Sequence, residues 1–96
     1  MLVSDFVESR LSELQESYRL YLNQFESRSY SSFDSLLIMV DRLTVEASCL
    51  RELAIACCPE FKELVLSVDY FCDSTYDLSD DLIKSLCKPF SRSFRR

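Results

Sequence analysis

The sequence predicts an all-α protein: a long antiparallel helical hairpin followed by two shorter helices in a bundle-like arrangement. Two observations predict it. The 96 residues include no glycine and only two prolines, whereas a β-rich fold of this size needs tight turns that usually take glycine. In addition, two apolar rows with alternating three- and four-residue spacing follow one another across a serine-rich break. That is the pattern of two helices sharing a seam.

Ser4 is placed to cap the first helix, and Asp5 and Glu8 then favour the positive end of its dipole. Val7, Leu11, Leu14, Tyr18, Tyr21 and Phe25 form the first seam, widened by Phe6, Leu20 and Leu22, and predict a helix over about 4–27. The stretch Ser27-Arg28-Ser29-Tyr30-Ser31-Ser32 interrupts it, because serine side chains compete for backbone hydrogen bonds. Ser31, with Asp34 three residues later, resembles a capping box. The second seam runs Phe33, Leu36, Val40, Leu43, Ala47, Leu50, Ala54 and Cys57, and predicts a helix over 32–57. A link this short places the two helices antiparallel.

Pro59 suits the end of that helix and the first residue of a third, over 59–72, whose apolar face carries Phe61, Leu64, Val65, Val68, Phe71 and Cys72. Asp73-Ser74-Thr75 is expected to break it. A short fourth helix over 78–88 then carries Leu78, Leu82, Ile83, Leu86 and Cys87, with Asp80 and Lys84 as an i,i+4 pair and Pro89 as the stop. The result is one helical domain over 1–88 and a basic flexible tail over 89–96.

The formal net charge of −5 is unevenly spread: the body is acidic, and the tail carries Arg92, Arg95 and Arg96. No apolar run approaches the length needed to span a bilayer. Asp5 and Glu8 stand where a secretory leader would be basic and then apolar, so a cytoplasmic, reducing setting is expected. Cys49, Cys57, Cys58, Cys72 and Cys87 are then expected to be reduced, small core residues.

Little points to catalysis. Without histidine there is no Cys-His or Ser-His-Asp arrangement. There is also no glycine-rich phosphate loop. Asp73, Asp77, Asp80 and Asp81 read as dipole-matched acids near helix starts. The cysteines lack the close pairing of a zinc site. No enzyme, metal or cofactor is expected.

Binding is the better expectation. The second helix is apolar beyond its seam, at Leu37, Ile38, Met39, Val45, Leu53 and Ile55. A helix apolar on more than one face is buried on more than one side. Leu37, Ile38, Val45, Leu53 and Ile55 are therefore the candidate interface of a non-enzymatic interaction module, an adaptor, chaperone or assembly subunit. Its expected partner is a second copy, giving a homodimer, or another helical protein.

The alternative is double-stranded RNA. Arg28, Arg42 and Arg51 on the hairpin, with Arg92, Arg95 and Arg96 in the tail, are candidate phosphate contacts. The pairs Glu16–Arg19 and Arg42–Glu46 compete for that role. In overall plan, two long helices followed by Pro59 and a short helix resemble the small nodaviral suppressors of RNA silencing. The resemblance spans about residues 4–72 and lies in the architecture. It implies a dimeric helical protein that binds double-stranded RNA.

Overall fold

Three helices follow one another in a computed structural model that describes residues 2–94, with side chains through residue 86. They are α1 (Val3–Ser27), α2 (Phe33–Cys57) and α3 (Lys62–Phe94). The all-α class and the hairpin stand, and there is no strand among the described residues. At 1.5 Å per residue, α1 and α2 are each roughly 37 Å long and α3 about 50 Å.

Both seams face the core. Val7, Leu11 and Leu14 are buried, and Tyr18, Tyr21 and Phe25 are half-buried. On α2 every seam position from Leu36 to Ala54 is buried. Ala47 and Ala54 have no exposed surface, so neighbouring helices come close at those points. Helix α2 is the central element: its contacts with α3 and with α1 are extensive, while α1 and α3 touch least. The molecule is accordingly an elongated slab of 56 × 26 × 16 Å.

The helix ends differ from expectation in instructive ways. Leu2, not Ser4, is the N-cap of α1, and it supplies no side-chain hydrogen bond. Ser4 lies inside the first turn and is buried, so its hydroxyl is not the cap. At the other end, the Ser29 N–H donates to the Gln24 carbonyl at 3.0 Å, and Arg28 adopts a left-handed conformation with φ 56°. That is the closure glycine usually makes, achieved here by a residue with a Cβ. The cap of α2 is Ser32, whose Oγ accepts from the Ser35 N–H at 3.0 Å, one residue later than the expected Ser31–Asp34 box.

Helix α2 stops at Cys57. Cys58 leaves the helical region (φ −136°, ψ 49°) while its N–H still donates to Ala54. The turn swings Cys58 into the core and leaves Cys57 exposed, reversing the expected place of Cys57 on the seam. α3 then starts at Lys62, not at Pro59.

The largest correction concerns residues 59–88. Two helices were expected there, and one is present. Asp73-Ser74-Thr75 does not break α3, because the hydroxyls turn back onto the helix: Ser74 Oγ donates to the Tyr70 carbonyl at 3.1 Å and Thr75 Oγ1 to Cys72 at 2.7 Å. Thr75 is thereby fully buried with its polar atom satisfied. Nor does α3 end at Pro89, since its bound is Phe94. A proline removes one hydrogen bond and bends a helix more readily than it ends one already formed.

The core has two parts. The larger joins all three helices: Val7, Leu11 and Leu14 of α1, Leu43 to Ala54 of α2, Cys58 of the turn, and Val68, Phe71 and Cys72 of α3. The smaller is Leu36 and Val40 against Leu78 and Leu82, rimmed by half-buried aromatics near the α1–α2 turn.

Candidate functional site

With its seam turned into the core, α2 leaves the opposite side open. Ile38 is 59% exposed, Val45 57% and Ile55 50%. Exposed residues at positions 38, 42, 45, 49, 52 and 56 form a second row with gaps of four, three, four, three and four. The row consists of Ile38, Arg42, Val45, Cys49, Glu52 and Ala56. At 100° per residue it lies opposite the buried seam.

Shallow grooves flank the row. Between α1 and α2, Phe6, Val45, Cys49 and Leu53 line one of them, alongside Arg10 and Glu46. Between α2 and α3, Ile55, Pro59, Val65 and Leu66 line another. A third, near the other end of α2, is formed by Leu37, Ile38, Asp41, Ser79 and Ile83.

The five expected interface residues therefore divide. Ile38, Val45 and Ile55 are open to solvent. Leu37 packs on the smaller core and Leu53 on the larger one, each half-buried. Phe6 and Leu66 were not foreseen as surface residues, yet both are exposed beside the row. For Phe6 the available signal was its place next to Val7, just off the seam of α1.

The arginines are dispersed. Arg51 reaches α3 and pairs with Asp69 at 3.2 Å, and this hydrogen bond raises its pKa further. Arg10 pairs with Glu13 at 3.0 Å and also with Glu46, tying α1 to α2, and its pKa is likewise raised, mainly by Glu13. Arg19 pairs with Glu16 at 2.9 Å, as expected. Because Glu46 is taken by Arg10, the expected Arg42–Glu46 pair is absent. Arg42 is exposed, with no ion pair among the described residues.

Arg42 and Arg51 do not share a face: nine residues is two and a half helical turns, which puts them on opposite sides of α2. Arg28 is exposed in the turn. The side chains of Arg92, Arg95 and Arg96 lie outside the described residues. The solvent side of α3 is acidic, with Asp73, Asp77, Asp80 and Asp81 all exposed.

The thiols of Cys49, Cys57, Cys58 and Cys72 are free. Burial pushes the Cys58 thiol upward. Cys72 lies 3.6 Å from the Ser48 hydroxyl, and Ser48 also meets the Tyr76 hydroxyl at 3.1 Å. Among the described residues no three His, Cys, Asp or Glu side chains are grouped to hold a metal ion. No described helix is long and apolar enough to cross a membrane. The Cys87 side chain lies outside the described residues.

No protein-family model, no curated protein and no solved structure matches this chain.

Proposed function

We propose that the chain is a non-enzymatic helical protein–protein interaction module, an adaptor or assembly subunit that associates with itself through the open side of α2. The observation that carries this reading is the exposed row of α2, which holds Ile38, Val45, Cys49 and Ala56, with Phe6, Ile55 and Leu66 exposed beside it. Single exposed apolar side chains are ordinary, but an aligned set along one helix is what partner surfaces look like. Free thiols, two of them exposed, suit a reducing cytoplasmic setting. Light scattering from low micromolar concentration upward tests the reading: the mass should rise toward twice that of one chain. A constant monomer mass would end the dimer idea.

Double-stranded RNA binding has less on its side. Arg10, Arg19 and Arg51 are each held by a carboxylate, and the acidic side of α3 would repel phosphate. Among the arginines whose side chains are described, Arg28 and Arg42 are left as contacts. A gel shift with a short RNA duplex at two salt concentrations separates the two readings. Arg42→Gln should weaken binding and flatten its salt dependence only if Arg42 meets a phosphate.

A further inference from the structure

We propose that the open side of α2 receives the same side of a second copy, antiparallel, about a two-fold axis crossing α2 at the level of Ala47. This rests on the interaction-module reading and specifies the register in which the two copies meet. The gaps along the exposed row read the same in both directions. Reversing α2 about the middle of the row therefore lays it on itself. Val45 then faces Cys49 of the second copy, Ile38 faces Ala56, and Arg42 faces Glu52, each pairing occurring twice.

The charges select this arrangement over its rivals. Moved by one heptad in either direction, the row places Arg42 on Val45 or Glu52 on Cys49, leaving charges against apolar groups. Set parallel, it places Arg42 on Arg42 and Glu52 on Glu52. Only the antiparallel, centred register matches opposite charges. Within the described residues neither Arg42 nor Glu52 has an ion-pair partner, in contrast to Arg10, Arg19 and Arg51. Phe6 and Leu53 on one flank, with Leu66 on the other, widen the apolar strip. Desolvation offsets much of the attraction in such a pair, so Arg42 and Glu52 act chiefly on register and partner choice, while the apolar row supplies the affinity.

Charge reversal tests it, because both sites are exposed and circular dichroism can verify folding of each variant. Arg42→Glu alone and Glu52→Arg alone each set like charges together, and each should raise the association midpoint by at least about tenfold. Mixing the two variants one to one, or combining both changes in one chain, restores the opposite pairs and should restore dimerisation. As a second readout, a short bis-maleimide should join the copies through Cys49. The two Cys49 residues lie roughly 6 Å apart along the axis, whereas the two Cys57 residues lie about 30 Å apart. Cys49→Ser should abolish the cross-link and Cys57→Ser should leave it. If the wild-type chain dimerises but the single reversals do too, or if mixing restores nothing, this register is overturned while the interaction module survives. If the wild-type chain stays monomeric at every concentration, self-association itself falls.

Discussion

The two parts of the core are closed by different means. Where α2 runs into α3, all three helices contribute aliphatic side chains, and small residues (Ala47, Ala54, Cys58 and Cys72) let the backbones approach. Toward the α1–α2 turn the buried cluster among the described residues is Leu36, Val40, Leu78 and Leu82, and Tyr21, Leu22, Phe25, Tyr30 and Phe33 cover it from the rim. The aromatic edges meet at steep angles: Tyr30 and Phe33 at 71°, with centroids 5.7 Å apart. The first region is packed from all sides, whereas the second is capped by side chains with one face in water. The first should therefore tolerate little and the second should relax. Tyr18 and Tyr21 touch both regions, so they carry whatever coupling exists between them.

The largest expected effect is at the centre of the three-helix part. Leu43 is almost wholly buried in the seam of α2. Leu43→Asp would place an unpaired carboxylate among aliphatic groups and should unfold the hairpin. Loss of the helical circular dichroism signal is the expected readout. An unchanged spectrum and melt would mean that this seam does not hold the helices together.

Truncation distinguishes the two regions more finely. Leu43→Ala leaves a cavity that three closely packed helices cannot close, and it should cost about 3 kcal/mol or more. Leu36→Ala removes the same atoms beside half-buried aromatics that can settle inward, and about 2 kcal/mol is expected. Chemical denaturation of both variants gives the difference. Equal losses would show that the rim is as rigid as the interior.

Part of this contrast was legible in the sequence. The seam of α2 was readable from Leu36 to Ala54, because a heptad row fixes which side of a helix is buried whatever the partner turns out to be. The surplus of apolar side chains on α2 was legible too, but not its distribution. Leu37 and Leu53 found cover within the chain, whereas Ile38, Val45 and Ile55 did not, and that depends on where α1 and α3 lie around α2. The continuity of α3 was hidden because Ser74 and Thr75 suit a break when their hydroxyls compete with the backbone, and suit a helix when they bond the preceding turn. One-residue choices, Ser31 against Ser32 or Cys57 against Cys58, turn on cap geometry that spacing does not encode. The acidic side of α3 looked like scattered helix starts only because α3 had been divided.

A smaller effect should come from the turn that bounds the aromatic region. Ser32→Ala removes the hydroxyl that accepts from the Ser35 N–H, at a cost of about 1 kcal/mol. Because that turn borders the rimmed region, hydrogen exchange should speed up first at Leu36 and Val40, with Leu50 little affected. Uniform acceleration along α2 would instead show that the two regions open as one unit.

The finest test uses Tyr18, one of the two residues shared by both regions. Tyr18 packs edge-on against Phe71, with ring centroids 5.7 Å apart and an interplanar angle of 78°. Burial, reinforced by the nearby Asp77, pushes its phenol above the ordinary tyrosine value. Below about pH 10, the ordinary tyrosine value, Tyr18 is neutral in both folded and unfolded chains and its packing is kept. Above that value the unfolded chain gives up the proton first, so the native state binds more protons and stability falls as pH rises through the folded value. Tyr18→Phe keeps the ring and removes the titration. Its melting temperature should fall less steeply than the wild type's above pH 10, with parallel behaviour at neutral pH. Identical alkaline slopes would place the Tyr18 hydroxyl in water and separate the two regions at that point.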